Sequence, residues 1–239
     1  MISAQKIHRG DQYIENPSYL NPKIFTEQFY EPAINLLGSH LSGFIFEQEY
    51  QRKEDRVPVV EMALNLDIFF SKIPKDSRYH LELRTDLYLR DQVFEVLARY
   101  GVGQVLSHWT WLPPLRKQLA KADGRFFNSG KECVIRIMTP LNMRYEEAYA
   151  KAHPFDKLVE GMMAPEMVLE TVELMKTATE KGVLANLIIN NRAGGNAPII
   201  AQIIAKKFMP KNQDIPPFVG YCPLSKVFEL QSIILVCLS

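Results

Sequence analysis

Apolar residues in this chain come in short runs, separated by stretches in which they recur at helical spacing. Runs at 2–7, 43–50, 79–84, 102–109, 133–138 and 184–190 read as strands. Between them, the spacing predicts helices near 22–37, 58–72, 89–100, 112–122, 165–181 and 195–208. Several of these open with a proline in the first turn, where its missing N–H costs nothing. Gly38, Gly101 and Gly182 stand where helix-ending glycines belong. Strand–helix alternation with connections this short implies right-handed crossovers and a parallel sheet, hence an α/β fold of about six strands.

Two segments break the rhythm. Residues 139–164 form a long connection after a strand and carry Tyr145, Tyr149, His153, Phe155 and Asp156. Connections of that length inside compact domains usually serve as lids, and here a helical insertion that shields an apolar rim is the alternative. From Pro210 the character changes again. Pro216, Pro217 and Pro223 punctuate a linker, and 227–238 is strongly apolar but too short to span a bilayer. The expected organisation is therefore one domain over 1–209 and an atypical apolar tail over 210–239, packed on the body or across a sheet edge.

Composition narrows the function classes. A chain of 239 residues with 47% hydrophobic and 23% charged residues is ordinary for a globular protein. The formal net charge of +1 disfavours a non-specific nucleic-acid binder, although a local basic cleft remains open. The N-terminus lacks the apolar core of a secretion signal, and no run is long enough for a membrane span. Cys133, Cys222 and Cys237 are far apart with no CxxC spacing, which suits reduced thiols in a cytoplasmic protein.

The most informative stretch runs from Leu184 to Pro198. An apolar run breaks into Asn190 and Asn191, then Gly194 and Gly195, at the start of a helix. A buried strand ending in a short turn at a helix N-terminus presents backbone N–H groups and a positive dipole end, a natural anion site.

Four segments resemble one family. Lys6-Ile-His-Arg-Gly-Asp-Gln-Tyr-Ile-Glu-Asn16, Leu81-Glu-Leu-Arg84, Val134-Ile-Arg-Ile-Met138 and Asn190-Asn-Arg-Ala-Gly-Gly-Asn-Ala197 are similar, in order, to the "K…ITH", "vEfR", "vRlhG" and "NNh.gG.A" segments of the YecE-like family, domain of unknown function 72. The resemblance covers roughly residues 2–208 and implies a TIM-like β/α barrel whose activity is not established. The family's opening "GTSGWSY" and "vEinsTFY" strands have no counterpart here, so the chain is expected to be an incomplete barrel, N-terminally shortened by about two β/α units. Tyr13 stands where the family has the histidine of "ITH", and Thr139-Pro140 where it has the glycine of "vRlhG".

Within such a barrel, polar residues near the C-terminal strand ends face the mouth. Along 79–84, alternation puts His80, Glu82 and Arg84 on one face and Leu81 and Leu83 on the other. Glu82 and His80 are the candidate catalytic groups, and Arg84 is a candidate bidentate clamp for a carboxylate or phosphate. An internal ion pair that only fixes packing is the equal alternative. Arg136 repeats this logic, either completing an anion pocket or neutralising an acid such as Glu47 or Glu49. Asn190, Asn191, Gly194 and Gly195 complete the candidate substrate-binding set, with turn chemistry as the alternative. Trp109 is a candidate aromatic wall, though it and Trp111 also suit hydrophobic cover at the rim.

The five histidines show no HxH or HExxH spacing, and Arg84 would repel a cation beside His80 and Glu82, so no metal or other cofactor is expected. No GxSxG, P-loop or GxGxxG occurs. Three functions remain. The first is an acid/base enzyme acting on a small anionic, phosphorylated or carboxylated substrate. The second is a non-catalytic nucleotide- or nucleic-acid-binding module. The third is a degenerate member without activity. The oligomeric state is open.

Overall fold

The computed structural model describes residues 5–9 and 12–209. Two short strands, β1 (Lys6–Arg9) and β2 (Gln12–Glu15), come first. A helical stretch follows, made of α1 (Pro22–Phe25), a π-helical turn (Thr26–Tyr30) and α2 (Glu31–Leu37). The strands β3 (Phe44–Gln48), β4 (Tyr79–Leu83), β5 (Gly103–His108), β6 (Glu132–Ile137) and β7 (Leu184–Ile189) then alternate with helices. These helices are α3 (Val59–Lys72), α4 (Asp91–Tyr100), α5 (Leu115–Lys121), α6 (Tyr145–Ala152), α7 (Pro165–Glu180) and, after β7, α8 (Ala197–Phe208). Strands β3 to β7 make one parallel sheet in sequential order.

Two expectations need correction. Among the described residues the sheet has five strands rather than six, and it does not close into a barrel. The run at 2–7 does not supply a sixth parallel strand, because Lys6–Arg9 pairs antiparallel with Gln12–Glu15. Only Gly10 and Asp11 separate those segments in sequence, the spacing of a hairpin and far too short for a crossover. The tail over 210–239, expected to cover an edge, lies outside the described residues. Among the described residues, no helix is long and apolar enough to cross a membrane.

By packing, the described residues fall into two compact units: one runs up to Val105 and adds Leu119–Glu132, and the other holds Leu106–Gln118 and Cys133 onward. In the first unit every residue of β4 is buried, as expected for a parallel strand covered on both faces. One face of that strand is aromatic and meets helices. Phe25 of α1 lies 5.0 Å from Phe46 and 5.9 Å from Tyr79, and Phe69 of α3 lies 5.4 Å from Phe46. Leu81 and Leu83 follow Tyr79 on this face, so His80, Glu82 and Arg84 occupy the other. The register pairs Glu47 of β3 with Glu82 of β4, side by side at one level of the sheet.

In the second unit α7 starts at Pro165 and buries Met167, Val168, Val172 and Leu174. Gln118 of α5 exchanges two hydrogen bonds with the Ser107 backbone at the end of β5. The long connection after β6 contains α6, whose Ala148 and Ala152 pack with Met162, Met143, Phe155 and Val159. Its polar face points elsewhere, and that face bears on the chemistry.

Candidate functional site

At the C-terminal end of β4, Arg84 bridges two carboxylates. Its Nη2 lies 2.7 Å from Glu47 Oε2 and 3.3 Å from Glu82 Oε2. The parallel register explains the arrangement: Glu47 and Glu82 sit abreast on the same face, and Arg84 reaches both from two residues further along. Glu82 is 1% exposed and Glu47 33% exposed, with Arg84 between them at 18%. Arg84 thus gives Glu47 an ion-pair partner within its own unit.

Glu49, two residues beyond Glu47, accepts backbone N–H bonds from Gln5 (2.8 Å) and Lys6 (3.3 Å) and so anchors the N-terminal hairpin. Burial pushes the Glu49 carboxyl above the usual carboxylate range, against the pull of those two donors. Nearby, Tyr88 donates to Gln51, and Gln51 to Gln5, closing a polar network over the ends of β3 and β4.

His80 lies low on β4, away from this rim. It is buried, its Nδ1–H donates to the Arg78 carbonyl at 3.2 Å, and burial lowers its pKa. Its ring fills the space beside Gly103, where a Cβ would overlap the imidazole. β4 therefore brings Glu82 to Arg84, while His80 sits buried lower on the strand, beside Gly103.

In the second unit, Arg136 is half-buried on β6, flanked along the strand by fully buried Ile135 and Ile137. After β7 the Asn190–Ala197 segment forms a tightly bonded turn. Asn190 Oδ1 accepts from Arg192 N at 2.9 Å. Asn191 Oδ1 accepts from Ala197 N at 2.8 Å, and Asn196 Oδ1 from Ile199 N at 3.0 Å. Pro198 has no N–H, so these two asparagines use the donors that open α8. The chain itself occupies the helix N-terminus that was expected to hold an anion.

The glycine pair has a packing reason. Gly195 has φ +102°, and a Cβ there would run into the Lys157 carbonyl and lie 3.0 Å from Val159 Cγ2. Val159 N donates to the Gly194 carbonyl at 2.9 Å, and Asn196 Nδ2 to the Phe155 carbonyl at 2.9 Å. The turn after β7 is therefore a socket for the long connection after β6.

One group in this turn escaped the sequence reading. Arg192 lies with Cζ 3.9 Å from the ring centre of Tyr145 and 5.0 Å from that of Tyr149, both on α6. The i, i+4 spacing of the tyrosines was a helical signal, but nothing in the sequence paired them with Arg192. His108 ends β5 buried, with Nδ1–H donating to the Thr139 carbonyl at 3.1 Å, and burial lowers its pKa. Trp109 is half-buried just beyond it, and Trp111 is exposed.

No family model and no curated protein matches the sequence. Solved structures do resemble it. A DUF72 family protein from Enterococcus faecalis superposes with a TM-score of 0.52 at 16% identity, over 83% of this chain and 72% of that one. The fold is the one those DUF72 proteins have. A second DUF72 family protein, from Thermotoga maritima, gives a TM-score of 0.48 at 20% identity, over 78% of this chain. The chain spans 65% of that protein's length. The YecE-like resemblance carried by the four sequence segments is consistent with this fold.

Proposed function

We propose that the protein is an acid/base enzyme acting on a small carboxylated or phosphorylated substrate at the C-terminal rim of β3 and β4. The observation that carries the proposal is the Glu47–Arg84–Glu82 bridge, in which one carboxylate is buried and the other is partly open to solvent. Glu82 holds the guanidinium in place from below. A substrate oxyanion that takes Glu47's position on Arg84 gains a charge-assisted contact and releases the Glu47 carboxylate beside it. A carboxylate so released is placed to accept or return a proton. The open sheet is read as part of a TIM-like barrel, whose chemistry belongs at this end of the strands. Arg136, Asn190, Asn191 and Trp109 are proposed substrate-binding residues of the second unit, taken by itself. A reducing, cytoplasmic setting fits Cys133, which is buried and in no disulfide among the described residues.

A second reading is a non-catalytic protein. It is favoured by the fact that Arg84 and the first N–H groups of α8 both find partners within the chain. A screen of phosphorylated and carboxylated metabolites for turnover, followed by a pH profile, separates the two. Under the enzyme reading, Glu47→Gln keeps the fold and abolishes turnover of any substrate the wild type converts. If Glu47→Gln turns over at the wild-type rate, the acid/base assignment fails. If the wild type converts nothing, the non-catalytic reading stands.

A further inference from the structure

Arg192 stands out among the cations of the second unit. Among the described residues it has no carboxylate partner, and its neighbours are two tyrosine rings and one amide. Its Nη1 lies 3.4 Å from Asn190 Oδ1, and its buried Nε has no hydrogen-bond partner. Nη2 has no partner among the described residues. Stacking of a guanidinium against an aromatic face uses the π surface of the cation and leaves its N–H donors, which lie in the plane, unspent. What results is a positively charged fork seated against two rings, with Nη1 on one long bond to Asn190 Oδ1 and Nη2 without a partner among the described residues.

The holding parts are independent of one another. Tyr145 and Tyr149 come from α6, four residues apart on one face and each 43% exposed. Arg192 comes from the turn after β7, where the Asn190 side chain bonds the Arg192 N–H and fixes where the side chain starts. The Gly194–Val159 and Asn196–Phe155 bonds join that turn to the segment following α6. Turn and helix are thus tied together in the absence of any ligand, so the fork is organised before it meets one.

From this we infer that Arg192, cradled by Tyr145 and Tyr149, is a binding site for the oxyanion of a small ligand, a phosphate or carboxylate group. Its two Nη groups meet two oxygens side by side, and the tyrosine rings flank the guanidinium. Arg192, Tyr145 and Tyr149 all belong to the second unit and the Glu47–Arg84–Glu82 cluster to the first, and the inference does not depend on the reading of that cluster.

The test is a titration of the full-length protein with inorganic phosphate and, separately, with acetate, reading arginine side-chain N–H resonances. One arginine signal should move saturably and disappear in Arg192→Gln. The anion that saturates at the lower concentration names the ligand class. Arg192→Lys keeps the charge but not the fork and should bind about tenfold more weakly. Tyr145→Leu, with Arg192 intact, should also weaken the response, because the guanidinium is no longer held. Glu47→Gln should leave it unchanged, which separates this site from the rim proposed above. Absence of a saturable response in the wild type, or a response that Arg192→Gln and Arg192→Lys both retain in full, overturns the inference.

Discussion

Two arginines at the ends of strands in this molecule are held in opposite ways. Arg84, after β4, is ion-paired with Glu47 and Glu82. Arg192, after β7, is held by Tyr145 and Tyr149, which orient it without cancelling its charge. The first arrangement sets a guanidinium nitrogen against carboxylates, and the second sets the guanidinium against aromatic rings with one long hydrogen bond to an amide. An arginine at a strand end is therefore no guide to anion binding until its neighbours are known. A carboxylate neighbour makes it a structural pair that a ligand must break, whereas an aromatic neighbour leaves it able to accept one directly.

Removing each charge should separate the two cases most sharply. Arg84→Met leaves Glu82 buried without its cation, and loss of one partner of a buried pair costs about 3–5 kcal/mol. Arg192→Met removes a charge that no carboxylate needs, so the change should stay within about 1 kcal/mol. Urea unfolding with an unchanged slope measures both. Equal losses at the two positions would break the comparison.

Gly195→Ala sharpens the second half of it. The backbone at φ +102° alone costs about 1–3 kcal/mol for a residue with a side chain, and the methyl also meets the Lys157 carbonyl. Because Gly194 is bonded to Val159, the loss should appear both in the unfolding midpoint and as faster amide exchange at Val159. Normal stability with normal exchange would mean that the turn after β7 does not seat the long connection.

The smallest effect is one of pH, with one histidine in each unit. Burial lowers the pKa of His80 and of His108, so each binds a proton less readily when folded than when unfolded. Their contribution to stability is complete above the unfolded value of about 6.5 and is lost as the pH falls below it. The slope is at most about 1.4 kcal/mol per pH unit for each histidine. His80→Gln and His108→Gln should each flatten the fall in urea midpoint between neutral and mildly acidic pH. A slope unchanged in both variants would show that these histidines charge freely in the folded protein.

Much of this was legible before any coordinates. Alternation along 79–84 put Glu82 and Arg84 on one face, and they are indeed partners. The five strands from 43 onward and the helices between them fall near where the apolar periods put them, except α6, which lies in the segment read as a long connection. The run at 2–7 misled because it was scored alone. Residues 12–15 supply a second short strand, and a two-residue gap permits a hairpin but no crossover. At 190–197 the asparagines and glycines signalled a turn at a helix start, which is correct. Whether its N–H groups face a ligand or the chain's own asparagines is a question of distances, and here Asn191 and Asn196 take them.

By itself, then, the sequence determined the local elements and which side chains share a face, because both follow from periods of two and 3.6 residues along one strand or helix. It also determined that the interior would be apolar and parallel-stranded. Only the tertiary structure decided which partners each charge has. Glu47 and Glu82 are 35 positions apart, and Tyr145 and Arg192 are 47 apart, and no period along the chain links either pair. The strand register set Glu47 beside Glu82, and the connection seated on Gly194 and Gly195 goes with α6 lying against Arg192. Electrostatic partnership depends on separations of a few ångströms in space, and those are fixed by packing between elements rather than by order within them.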